Sequence, residues 1–167
     1  QIASLTNLAT ALAWQDRDEE AEAILEDALA IMRRTLGPEH RQTLAVMHNL
    51  GAINGYLGRR DKERELKTEV LEIRRRINGP DHLDTVASEM TLARLHATLG
   101  EHQQAVDLLQ HVMRVYRASV VPQDQRRVEA AGMMVESLIE LGRVEEARLF
   151  SLERREGKRI SADDPDA

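Results

Sequence analysis

Cysteine is absent from this 167-residue chain. That excludes disulfides, thiol nucleophiles and thiolate zinc sites, and it is compatible with a reducing, cytoplasmic setting. Aromatic residues make up only 2%, so a core has to be assembled from Leu, Ile, Val, Met and Ala, of which Leu and Ala favour helix. No stretch approaches the ~20 apolar residues of a membrane-spanning helix. The opening "QIASLTNLATALAW" has neither the basic first segment of a signal peptide nor an initiator Met, and the chain is read as a piece of a longer protein. There is no surplus of basic charge either. The formal net charge is −6, with acids and bases interleaved, which argues against nucleic acid and against an anionic membrane surface as partners. A Gly-rich phosphate loop and a Gly-x-Ser-x-Gly elbow are both missing.

What is present is a repeat. "TLGPEHRQTL" at Thr35–Leu44 is written again as "INGPDHLDTV" at Ile77–Val86. Pro38, Pro80 and Pro122 are spaced by 42 residues, and so are Gly58, Gly100 and Gly142. Asn7-Leu8-Ala9 recurs as Asn49-Leu50-Gly51 on the same spacing. A period of this length marks an array of supersecondary units rather than one globular sequence.

Within a period the apolar spacing predicts two helices. Helix A spans about 42–57, with Leu44, Met47, Leu50 and Gly51 on one face, and Gly58 closes it. Arg59 and Arg60 stand where cations complement its dipole. Helix B runs from about Asp61, read as its N-cap, to Ile77, with Leu66, Val70, Leu71 and Ile73 apolar. Asn78-Gly79-Pro80 stops it. Later pairs are expected at 83–99 with 103–120, and at 125–141 with 144–155. The first unit is truncated and has Asp16-Arg17-Asp18 in place of the Gly turn. The units fall at about 1–37, 38–79, 80–121 and 122–156, followed by a polar tail, 157–167, expected to be mobile.

Small residues align at the expected helix crossings. Ala9, Gly51 and Ala93 do so in helix A until Val135 intervenes, and Ala21, Ala105 and Ala147 do so in helix B, interrupted by Glu63. The large partners are Leu8, Leu50, Leu92 and Met134 in helix A. In helix B they are Leu25 and Leu109, with Lys67 and Ser151 as departures. Packing is expected to loosen where the small residue is lost.

Helix-turn-helix units with this small–large pattern resemble tetratricopeptide repeats. The 42-residue spacing, "LGPEH", "NGPDH", the Thr three residues on and "TNLA"/"HNLG" resemble the kinesin-light-chain subclass, over about residues 2–155. The resemblance implies an all-α, right-handed α-solenoid of antiparallel helix pairs, whose A helices line a concave trough that holds a partner's peptide or helix. It implies that Asn7 and Asn49 contact a peptide main chain, for which an amide is suited. Thr91 and Met133 replace Asn in the last two units and break that ladder. On the same face it places Thr6, Thr10, Trp14, His48, Ala52, Tyr56, Arg94, Glu136 and Glu140. With Glu129, Glu136 and Glu140 acidic, the expected ligand is an amphipathic peptide whose basic end lies toward the fourth unit.

Other constellations have structural readings. His40 and His82 open helix A, and one repeat apart, at roughly 10 Å, they cannot share an ion. They are read as closing the turn by hydrogen bonding. His96, His102 and His111 show no ligand spacing with a carboxylate. Thr43 and Thr85 are read as satisfying free N–H groups in the first turn. Glu19-Glu20 and Glu145-Glu146 complement helix dipoles, and "RREGKR" at 154–159 is a solvated basic run. Trp14 either packs against a preceding helix, the favoured reading, or projects into the trough.

The sequence therefore reads as a protein–protein interaction module, a scaffold or sensor part of a larger protein, with no enzyme activity, cofactor or metal. The alternatives are self-association through exposed solenoid ends, a regulatory domain of an attached enzyme or signalling protein, and a small-molecule sensor.

Overall fold

A computed structural model gives the backbone of residues 2–119 and 124–162, and the side chains of these except 2–4, 6, 10, 153, 154 and 156–162. Residues 120–123, where "VVPQ" carries Pro122, lie outside the described residues, as does 163–167 with Pro165. The described residues form helices and turns only. They fall into two compact units, residues 1–80 and 81–167. Unit 1 holds α1 (Ile2–Ala13), α2 (Asp18–Thr35), α3 (Arg41–Tyr56) and α4 (Arg60–Asn78). Unit 2 holds α5 (Leu83–Thr98), α6 (His102–Ser119), α7 (Gln125–Glu140) and α8 (Val144–Ala162). Within each unit every helix packs on the next in antiparallel pairs, the arrangement of an α-solenoid. The expected helices are all present, most within about a residue of their expected ends. The exception is α8, which continues past Arg155 to Ala162 and so overlaps the start of the expected tail.

The short turn between A and B helices repeats one backbone device along the chain. Gly58, Gly100 and Gly142 take positive φ of 72–75°, the left-handed conformation that ends a helix at little cost only for Gly. In each case the next N–H reaches back five residues. Arg59 N–H donates to the Asn54 carbonyl at 2.8 Å, Glu101 to His96 at 2.9 Å, and Arg143 to Leu138 at 2.8 Å. The first unit makes the same bond, Arg17 to Leu12 at 3.0 Å, with Asp16 at φ 56° in the glycine's place. Asp is among the few side chains that tolerate that region. This tight closure starts α4 at Arg60, so Asp61 is not the N-cap the sequence suggested. It lies in the first turn and acts on the helix dipole instead.

The longer turn between B and A helices is closed by the histidines. His40 Nδ1 accepts from the Gln42 N–H at 3.2 Å, and His82 Nδ1 accepts from the Asp84 N–H at 3.1 Å. Both are N-caps, as expected. One period on, where the Gly-Pro-acid-His run is lost, Asp124 takes the same position and accepts from Arg126 N–H at 2.9 Å. Thr43 corrects the sequence reading. Its hydroxyl donates to the Gly37 carbonyl at 2.8 Å, clasping the turn rather than serving a free N–H.

Each unit has its own apolar core. In unit 1 Ala9, Leu12, Ala21, Leu25, Met32, Met47 and Leu50 are buried together, and in unit 2 Ala93, Val106, Leu109, Met113, Met134 and Leu138 are. Each fully buried Leu or Met contributes roughly 1.5–3 kcal/mol. Small residues sit at the crossings as expected, with Ala9, Ala21, Ala93 and Ala105 at 0–1% exposure.

The interruption at Glu63 does not loosen the packing. Glu63 is 5% exposed, and its carboxylate accepts from Lys67 Nζ at 2.6 Å and Arg60 Nη1 at 2.8 Å. Lys67 is itself a departure, standing where Leu25 and Leu109 stand in their helices. The two departures compensate each other, since a buried carboxylate is tolerable only when paired. Space for the longer side chain comes from Gly55 on α3. A Cβ there would lie 2.9 Å from the Glu63 carboxylate. The corresponding residues elsewhere are Ala13, Ala97 and Ile139.

This triplet yields a double-mutant test. Ala is the better helix former by about 1 kcal/mol, so Gly55→Ala in a Glu63→Ala background should stabilise the protein by that order. In the wild-type background the crowded carboxylate should cancel the gain or reverse it. Denaturant titration of the four proteins should show coupling of at least about 1 kcal/mol, and additivity would refute the packing account.

Candidate functional site

The residues expected to face a partner belong to the A helices, and two cavities gather most of them, one in each unit. In unit 1 a cavity of about 470 Å³ is lined by Trp14 just after α1, by Asn49, Ala52 and Tyr56 on α3, by Asp16 in the turn and by Asp18 at the start of α2. Trp14 is 86% exposed and Tyr56 75%. Exposure this large is unusual for aromatic side chains, which ordinarily bury most of their area. Trp14 and Tyr56 are 42 residues apart and occupy the same place in consecutive repeats. Trp14 shares this cavity with Asn49, Ala52 and Tyr56 of the following A helix.

Unit 2 carries the equivalent cavity, of about 410 Å³, displaced by two periods. Thr98 stands for Trp14, His102 for Asp18, Met133 for Asn49, Glu136 for Ala52, Ser137 for Ile53 and Glu140 for Tyr56. One packing geometry thus produces an aromatic recess in unit 1 and a polar one in unit 2. Arg94 also lines the second, and its guanidinium is ion-paired with Glu129.

The remaining expected residues lie apart from these cavities. Asn7 is exposed on α1, and the Thr10 side chain lies outside the described ones, as does that of Thr6. Thr91 is half-buried and donates its hydroxyl to the Ser88 carbonyl at 2.9 Å, so that hydroxyl hydrogen is already engaged. His48 is half-buried on α3. Burial, and then the cations of Arg74 and Lys67, hold its pKa below the ordinary value and keep the imidazole neutral. It therefore offers one donor and one acceptor rather than a charge.

Sequence reasoning missed Asp18, His102 and Ser137 as cavity residues. The signal was their register: positions 18 and 102 both open a B helix, and 53 and 137 both lie one turn before an A helix ends. It also did not find the carboxylate neighbours of two histidines. His96 Nδ1 lies 2.5 Å from Glu101 Oε2. His111 touches two carboxylates, Glu89 through Nδ1 and Asp81 through Nε2, the latter at 2.9 Å. These partners are 22 and 30 residues away along the chain, invisible to a search for local spacing. No cluster of metal-ligating side chains occurs among the described residues.

With carboxylates on both ring nitrogens, His111 can satisfy both only as the imidazolium, which donates twice. Burial lowers its pKa, but the hydrogen bonds it donates to Glu89 and Asp81, with the Glu89 charge, outweigh burial and the opposing Arg114, and the pKa is raised. Glu89 is 1% exposed, so the imidazolium also neutralises a carboxylate that water cannot reach.

Comparison with known proteins is consistent with this architecture. A family model described as "Tetratricopeptide repeat" matches residues 1–76 and 64–118. Among solved structures, a protein of Podosopora anserina described as a kinesin light chain with nearly identical TPR-like repeats is 26% identical. The match covers 98% of this chain and 76% of that one, with a TM-score of 0.85. BtubC (BKLC) from P. vanneervenii is 15% identical over 97% of this chain, with a TM-score of 0.87. This chain spans 65% of it, just under two thirds. MamA is 12% identical over 99% of this chain and 77% of its own length, with a TM-score of 0.69. The last two show the fold alone. No curated protein sequence matches the chain. No described helix is long and apolar enough to cross a membrane.

The His111 cluster gives a pH dependence of known sign. A base with a raised folded pKa adds stability at pH below its unfolded value, near 6.5, and that stability disappears as pH rises through the folded value. The thermal midpoint of the wild type should exceed that of His111→Gln by several degrees at pH 5.5. The gap should narrow toward pH 8.5, and a gap that widens with pH would contradict the assignment.

Proposed function

The chain belongs to the tetratricopeptide repeat family, in its kinesin-light-chain-like form, and from that membership we propose that it binds an extended or helical segment of a partner protein on the A-helix face. Tetratricopeptide repeats generally mediate protein–protein interaction, and the finer reading rests on one observation. Trp14 and Tyr56 stand almost fully exposed around one cavity floored by Asn49 and Ala52. Aromatic anchors of this kind supply most of the energy of an interface once a partner covers them. The Asn49 amide can hold a main chain in register. Asn7 on α1 and His48 on α3 are further candidates for this surface, and the family resemblance adds Thr10. On unit 2, Thr91, Arg94 and Glu136 provide the corresponding polar face, and its acids favour a basic segment of the ligand. On this reading the module is a scaffold or sensor part of a larger protein, cytoplasmic and not an enzyme.

A second reading has its own observation. Val144, Leu149 and Leu152 on α8 are 51%, 66% and 58% exposed, an apolar face suited to pairing with another copy. Light scattering over a hundredfold concentration range checks it. A size that grows with concentration, and returns to monomer in Leu149→Glu/Leu152→Glu, supports self-association, whereas a constant size removes it.

For the principal reading, peptides selected from a random display library should bind the protein saturably and quench Trp14 fluorescence. Trp14→Ala and Tyr56→Ala should each weaken binding at least about tenfold, the size of a modest hot spot. Scrambling the charges of a selected peptide should weaken it too. Peptides that bind the double variant as well as the wild type would overturn the proposal.

A further inference from the structure

The cavity of unit 2 contains two polar atoms that the fold leaves without a partner. Ser137 is 1% exposed. A serine in a helix usually turns its hydroxyl back onto the carbonyl four residues earlier, but Ser137 Oγ has no hydrogen-bond partner among the described residues. His102 Nδ1 is likewise buried and unpaired there. Both residues line the same cavity of about 410 Å³. Where their equivalents stand in unit 1, the chain has Ile53, which is apolar, and Asp18. An unsatisfied buried hydroxyl is a cost that an apolar residue would avoid. The helix crossing therefore does not require Ser137, because Ile53 fills that place without a polar atom.

The surrounding charge defines what would satisfy these atoms. Glu136 and Glu140 line the cavity from α7, one helical turn apart, and no ion pair engages either among the described residues. The cation facing them from α5, Arg94, is already held by Glu129. The recess thus carries uncompensated negative charge at Glu136 and Glu140, with a hydroxyl and an imidazole nitrogen buried in its wall. Every one of these groups can accept a hydrogen bond. A ligand group that donates several hydrogen bonds from one positively charged atom fits them, and a primary ammonium, with three donors, is such a group.

We propose that the unit 2 cavity, with Ser137, His102, Glu136 and Glu140, is a receptor for a lysine side chain of the partner segment. The proposal rests on the reading that a partner's segment lies on the A-helix face, and it names the residue that enters this unit. The ammonium donates to Ser137 Oγ, to His102 Nδ1 and to a carboxylate of Glu136 or Glu140, while its methylene stem lies against Ala97 and Met133 in the same wall. Charge-assisted bonds of this type are stronger than neutral ones, and removing the acceptors leaves the ammonium poorly solvated inside the recess.

Nα-acetyl-lysine N-methylamide is the direct probe. Titrated into the isotope-labelled full chain, it should produce saturable NMR shifts centred on His102, Glu136 and Ser137. The norleucine counterpart, which keeps the stem and lacks the ammonium, should not. Glu136→Gln/Glu140→Gln should weaken the response at least tenfold. Ser137→Ala should weaken it severalfold while leaving the thermal midpoint unchanged or higher, because it removes an unpaired buried hydroxyl. A purely structural serine would instead lower the midpoint. Equal shifts from the norleucine compound, or no saturable shift from the lysine compound, would overturn the assignment. If library peptides bind the α1/α3 face while the lysine probe fails, this inference falls alone. If the probe binds and no peptide does, the groove reading falls and the cavity stands as a cation site.

Discussion

A single helix pair of this chain is too small to bury its own apolar face, and the rest of the structure follows from that constraint. Helices of 16 to 19 residues with apolar stripes find shelter only when the next pair stacks against them. Stacking places backbones close together, which is why Ala9, Ala21, Ala93 and Ala105 are buried to 0–1% exposure at the crossings. It also makes the turns strict. A chain that must return after a fixed number of residues uses the same left-handed residue and the same five-residue backbone bond each time, even where Asp16 has to adopt a conformation that suits glycine better.

Within that frame the chain tolerates replacement when the physical task is still performed. Asp124 differs from His40 and His82, yet each offers an acceptor to the N–H two residues on, at 2.9–3.2 Å. Glu63 and Lys67 both break the small–large pattern, yet together they form a paired charge in a space that Gly55 opens. Glu89 is a buried carboxylate in a series otherwise filled by Leu5, Met47 and Ala131, and His111 neutralises it. Glu63 has its partners within a turn on its own helix, and Glu89 has its partner on the neighbouring one.

The same logic separates structural positions from positions available for binding. Geometry repeats, so the recess between an A helix, the start of its B helix and the next A helix appears in both units. Its lining differs between the two copies. Trp14 and Tyr56 in one copy, and Glu136, Ser137, His102 and Glu140 in the other, give equivalent recesses different chemistry. Chemistry that stability does not call for is available for recognition.

Much of this was legible in the order of residues. The period, the helix pairs, the glycine turns, the histidine caps and the small residues at the crossings all follow from local rules, since a helix and its ends are decided by residues within one or two turns. The aromatic pair Trp14 and Tyr56 could be singled out because both lie on the predicted A face. What only the tertiary structure decided was the gathering of residues separated along the chain: Glu63 against Gly55, His111 between Glu89 and Asp81, and Ser137 with His102 in the lining of one recess. Those depend on how two helices are placed in space, and a linear pattern that sets each helix separately carries no measure of the distance between them.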